Sequence, residues 1–350
     1  MMRRIPAQLA FVSGLAVMLA PAACGLVGGI EDVTVVDPEL PDGSTTVEPR
    51  EGGGPGPDAN VDPPDSAIDA GADVVVKTQC DPLTPFGAPV PVPALNSTAD
   101  DSTPRLSPDE LSVYLASTRP GRLGAGSVYL AKRSTRSDPF GVPALAPVIN
   151  TNNGLVYHPA PTGDLLRIFL QVTGGGGPTD LYLATRASIA VEFSTPAPLA
   201  NVNSGRSEFI PFVSPDGTSL YFSSNRSGPF LLYQALASGG AYATPTLVPG
   251  VGSGNGSAID TAPVLNADLL TIYFASTRVD TGSSAYDLFV ARRTTPTGTF
   301  AMPTLVTELN DANAAASDVP SWLSADGCRL YRTSDRGGGS FDVYLATRSP

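Results

Sequence analysis

The chain has 350 residues but only one histidine, one tryptophan, four methionines and three cysteines, and 15% of its residues are charged. A lone histidine, His158, excludes the His-rich sets that hold zinc and leaves any Ser-His-Asp arrangement dependent on that single residue. The run Gly174–Gly177 lacks the lysine and following helix of a phosphate loop, and the spaced acids lack the twelve-residue pattern of a calcium loop. Beyond the first two dozen residues no helical period extends over more than about ten residues. These absences leave no catalytic residue, metal or cofactor to assign, and His158 reads as a loop or strand-end residue.

Negative charge is plentiful but confined. Between Glu31 and Val76 stand twelve acids and one base, a net of -11 out of -12 for the whole chain. Aromatic residues are almost missing there, so the segment cannot bury enough apolar surface to offset its ordering entropy. Residues 24–76 are therefore expected to form a disordered, extended acidic linker rich in Pro and Gly. The chain beyond residue 76 carries only about -3, with no basic stripe, so nucleic acid is not an expected partner. Ahead of the linker, Arg3 and Arg4, an apolar run from Leu9 to Leu19 and small residues ending at Cys24 read as an export signal over residues 1–23. Leu19-Ala-Pro-Ala-Ala-Cys24-Gly25 resembles a bacterial lipobox, which implies acylation of Cys24. Ordinary cleavage after Ala22 is the alternative, and it would release a secreted protein.

The rest of the chain, residues 77–350, repeats a single plan five times. Its turns centre on Asp109, Asp164, Asp216, Asp268 and Asp326, in steps of 55, 52, 52 and 58 residues. Around them lie strand-like segments such as SVYLAS, SLYFSS and TIYFAS, then SVYLAKR, DLYLATR, DLFVARR and DVYLATR, set among 36 Gly and 35 Pro. A second marker, an aromatic three residues before proline, occurs at Phe86, Phe140, Phe193, Tyr242 and Phe300. It follows each turn except the last and precedes the first. The pattern predicts an all-β, five-bladed propeller of four-stranded antiparallel blades, in which an N-terminal strand near Phe86–Val92 completes the final blade and removes the exposed edge.

Ser-Pro-Asp-Gly, then Leu-Tyr-Phe-Ser-Ser-x-Arg, then Asp-Leu-Tyr-Leu-Ala resembles the WD-like propeller repeat of the TolB C-terminal domain and of many bacterial envelope lipoproteins, over roughly residues 80–350. The resemblance implies the fold and an envelope setting, while propellers host many functions. In an oxidising compartment Cys80 and Cys328 are expected to meet across the closure seam as a disulfide, with two buried thiols as the alternative.

Eight residues before four of the turns stand Asp101, Glu208, Asp260 and Asp318, and ten after them Arg119, Arg226, Arg278 and Arg336. Cross-strand acid–base pairing accounts for them. The alternative is a ring of carboxylates at the channel mouth that binds a cation or a sugar. Asn96, Asn150, Asn203 and Asn310 follow the aromatic marker by ten residues and read as turn residues bonding their own backbone, on the rim where propellers bind ligands. The expected function is non-enzymatic: a propeller lipid-anchored in the cell envelope, touching the membrane through its anchor alone and offering loops to an envelope protein or cell-wall component. A carbohydrate-binding or carbohydrate-active propeller is the alternative.

Overall fold

The computed structural model describes residues 80–349 except 151–153, 175, 253–257, 279–284, 312–314 and 338. The export signal, Cys24 and the acidic linker lie outside the described residues. The described part contains strands and no helix.

Blade one is β2 (Asp101–Leu106), β3 (Ser112–Ser117), β4 (Ser127–Lys132) and β5 (Ala144–Leu145). Blade two is β6 (Gly154–Pro161), β7 (Arg167–Gly174), β8 (Asp180–Thr185) and β9 (Ala197–Pro198). Blade three is β10 (Glu208–Val213), β11 (Ser219–Ser224) and β12 (Leu231–Ser238), which folds onto a short β13 (Ala241–Tyr242) before β14 (Thr246–Leu247) takes the fourth place. Blade four is β15 (Asp260–Leu265), β16 (Thr271–Ser276), β17 (Asp287–Arg292) and β18 (Thr304–Leu305). Blade five has β19 (Asp318–Leu323), β20 (Arg329–Ser334) and β21 (Asp342–Thr347), and its outer strand is β1 (Val90–Pro91), where Val90 faces Leu345. All pairings are antiparallel. The inner strands β2, β6, β10, β15 and β19 each touch the next, and β19 touches β2, so the blades close into a ring: a five-bladed β-propeller sealed by its N-terminal strand.

The ring is held by apolar layers between blades. Leu115 and Tyr129 of blade one pack with Tyr331 and Val343 of blade five, and equivalent clusters join blades one to two and two to three. Large aromatic and β-branched side chains on second and third strands supply this layer, because both faces of a blade are covered by neighbours.

Each turn is set by its aspartate. In blade one, Ser107 donates to the Asp109 carboxylate, which accepts the Leu111 amide at 2.9 Å. The hydroxyl of Ser107 and that amide hold the Asp109 carboxyl below its ordinary range, and Thr162 and Leu166 do the same for Asp164. The next residue must take positive φ. Gly217 and Gly327 do so freely, whereas Glu110, Leu165 and Leu269 adopt φ of 63°, 59° and 61°. Left-handed backbone costs a side-chain-bearing residue about 1–2 kcal/mol. Replacing half-buried Leu165 by glycine is therefore expected to stabilise the protein by about 0.5–1 kcal/mol after loss of some packing, as read from the urea midpoint.

Every inner strand carries a bulge. In the first four blades the bulged residue (Thr103, His158, Ile210, Ala262) has φ between 46° and 52° and precedes a proline. The bulge turns an amide out of its own ladder and toward the neighbouring blade. Thr103 donates to Thr333 Oγ1 at 3.0 Å, and Ile210 to Gln171 Oε1 at 3.1 Å.

Candidate functional site

Asp101, Glu208, Asp260 and Asp318 are 0% exposed. The bulges shift the register, so the residue opposite each acid is a serine (Ser117, Ser224, Ser276, Ser334) rather than the end of a strand carrying arginine. The arginine lies two residues further on and folds back. Arg226 donates from Nη2 to Glu208 Oε1 at 3.0 Å and to Val202 O at 2.6 Å, and from Nε to Ser224 Oγ at 3.0 Å, while that serine donates to Glu208 at 2.8 Å. Its guanidinium lies 4.9 Å from the Tyr233 ring. Arg119, Arg278 and Arg336 reach Asp101, Asp260 and Asp318 at 2.5, 2.7 and 3.3 Å and stack on Tyr129, Phe289 and Tyr344. In blade five Asp318 also meets Arg332, which stands where other blades bury Leu115, Leu170, Phe222 and Phe274.

Blade two has none of this network. Val156, Val172 and Gly174 occupy the acid, serine and arginine places, and Val156 faces Val172 across the strands. The three polar partners are replaced together, which avoids leaving a buried charge unpaired.

A second arginine set was not singled out in the sequence. Arg133, Arg186 and Arg293 donate from Nε to the carbonyls of Glu110, Leu165 and Leu269 at 2.8, 2.7 and 2.9 Å, and Arg348 donates to Gly327 O. Each lies over the aromatic marker, 4.4 Å from Phe140, 4.3 Å from Phe193, 4.2 Å from Phe300 and 3.7 Å from Phe86. The marker is thus a shelf for the cation that braces the turn. In blade three Ala237 replaces the arginine, and the Tyr242 hydroxyl donates directly to Gly217 O at 2.7 Å. The signal was present in the sequence as the seventh residue of SVYLAKR, DLYLATR, DLFVARR and DVYLATR.

The asparagines correct the expectation of local turns. Asn150 accepts the Val128 amide at 2.8 Å and donates to the Val128 carbonyl at 2.9 Å, acting as one more residue of the outer strand. Asn96, Asn203 and Asn310 grip Val343, Leu181 and Leu288 in the same way. Cys80 and Cys328 form a disulfide across the seam, Cα atoms 5.8 Å apart.

His158 also departs from its expected place. It sits within inner strand β6, not in a loop or at a strand end, and its Nδ1 lies 3.1 Å from Thr103 Oγ1 of blade one. The residue is half-buried. Burial and the charge of Arg105 push its pKa down to about 3, so the imidazole is neutral. On the outer edge, a groove of about 450 Å³ between blades one and two is lined by Leu145, Val148, Ile189 and Val191, the last two well exposed. Among the described residues no group of three or more His, Cys, Asp or Glu is arranged to hold a metal.

No protein-family model and no curated protein matches the chain. Solved structures do. A TolB from Acinetobacter baumannii is 17% identical over 73% of this chain and 56% of its own, with a TM-score of 0.46. A glycoside hydrolase is 11% identical over 76% of this chain and 92% of its own, with a TM-score of 0.51. A thermostable family-43 glycoside hydrolase is 14% identical over 75% and 98%, with a TM-score of 0.48. The chain spans just over half the length of that TolB. At these identities the likeness is one of fold alone, and a fold does not name a function.

Proposed function

We propose that the chain is a non-enzymatic binding propeller of the cell envelope, anchored by a lipid on Cys24 and lifted from the bilayer by the acidic linker 24–76. The loops that lead into the inner strands present the binding face to a protein or cell-wall partner. One observation carries the choice of binding over hydrolysis: the four carboxylates that recur eight residues before a turn, Asp101, Glu208, Asp260 and Asp318, are buried and already bonded to an arginine of their own blade. Glycoside hydrolysis needs two carboxyl groups in unequal environments facing a substrate. Here they face their own blade.

A photo-cross-linker at exposed Arg206, beside the loop-side end of β10, is expected to give one discrete adduct in envelope fractions. The same group at exposed Asp268, on the opposite turn face, should give none. Equal labelling from both faces, or turnover of any glycoside in a hydrolysis screen, would overturn the reading. The anchor has its own test. Mass spectrometry of the processed protein should find Cys24 as residue one, carrying acyl chains. Ala23 as the first residue, with a free thiol behind it, would place the protein among soluble exported ones.

A further inference from the structure

Four residues before the turn aspartate, four blades carry Ala160, Phe212, Val264 and Trp322, and blade one carries Arg105. Its side chain runs past blade two to blade three. There Nη2 donates to Pro211 O at 3.1 Å, and the guanidinium lies 5.7 Å from the Phe212 ring. The residue is 3% exposed, and among the described residues Nε and Nη1 have no partner. Burial pushes its pKa down to about 9, so it stays a cation at neutral pH.

A guanidinium offers five N–H groups in a planar fork. One is spent on Pro211. Whichever hydrogen of Nη2 makes that bond, one two-pronged edge stays whole, either Nε with Nη2 or Nη1 with Nη2. Two parallel N–H groups match the two oxygens of a carboxylate. The charge count favours a monoanion, because the neighbouring His158 is neutral and Arg105 supplies a single positive charge. Thr103, two residues before Arg105 on the same strand, and the half-buried His158 bonded to it are the polar groups beside the guanidinium.

We propose that the central channel binds a small monocarboxylate, its two oxygens on the free edge of Arg105 with Thr103 and His158 beside them. The site is separate from the loop face and stands or falls without it. A chloride ion cannot engage both prongs, and at pH 8, the pH of the test below, phosphate is mostly the dianion and brings a second negative charge that nothing there balances.

Sodium acetate and sodium D-glucuronate, titrated into the full chain at pH 8 and fixed ionic strength, test this by calorimetry and thermal melting, with chloride and phosphate alongside. Acetate is expected to raise the melting temperature saturably, and chloride and phosphate to leave it unchanged. Arg105→Met should abolish the response and raise the ligand-free melting temperature by about 2–4 °C or more, since an apolar residue then fills a place that is apolar in the other blades. Arg105→Lys keeps the charge without the fork and should weaken acetate binding at least about tenfold. A response that survives Arg105→Met, an equal response to chloride or phosphate, or no response to acetate would overturn the site. So would a lower ligand-free melting temperature in Arg105→Met, which would make Arg105 a structural tie to Pro211. Glucuronate sets the size limit: binding like acetate places the site at an open channel, and exclusion confines it to the smallest acids.

Discussion

Asp260→Ala should destabilise the protein by about 3–5 kcal/mol, while the triple variant Asp260→Val, Ser276→Val, Arg278→Gly should cost no more than about half of that. The single change leaves Arg278 in place, 13% exposed, stacked on Phe289 with its carboxylate partner gone and its fork reduced to Ser276 and the Val251 carbonyl. A charge buried without its counterion is the costly state. The triple change installs the residues that blade two already uses, Val156, Val172 and Gly174, and leaves no charge behind. What it loses is the arginine's packing against the third strand and its bond to the Val251 carbonyl. Urea unfolding of the two variants and the parent gives the comparison directly. A triple variant as unstable as the single one would show that the network acts by its contacts rather than by mutual neutralisation.

The second large effect is expected at the seam. Cys80 and Cys328 close a loop across 248 residues of sequence, and the chain-entropy model assigns about 5 kcal/mol to a loop of that length. Only two residues of β1, Val90 and Pro91, pair with β21, and the amides of Gly87 and Val92 add bonds to Thr347 and Val343. Replacing both cysteines by serine should therefore keep the blade arrangement, since Phe86 still packs beneath Arg348, while the unfolding midpoint falls steeply. Reductant should shift the parent to the same midpoint and leave the double variant unmoved. If the midpoint is unchanged in the variant, the seam is held by strand pairing alone.

Five turn aspartates and five aromatic markers, offset by one strand, carry the blade count and the closure, because each blade repeats the same chemistry at the same spacing. The acids and their arginines were legible as a recurrence, but their geometry was not. A single bulged residue, such as Thr103 or Ile210, moves each acid opposite a serine, and bulges leave little trace beyond a following proline. The brace of Arg133, Arg186, Arg293 and Arg348 went unread because a basic residue at a strand end looks like ordinary solvation. Arg105 was invisible, and His158 was given the wrong place, for the opposite reason. They do not recur, and their meaning lies in contacts with other blades: Arg105 with Pro211, and His158 with Thr103.

The pairing of β1 with β21 also bears on how the molecule comes into being. Val90 meets Leu345, so β1, the first strand among the described residues, has no partner until the last blade is present. Contacts so distant in sequence make for slow folding. Once the last blade has formed, and until β1 docks on it, β21 offers an open edge of the kind that recruits other chains. The hazard is therefore concentrated in the interval between completion of the last blade and the docking of β1, when anything that shields β21 would govern the yield of closed protein.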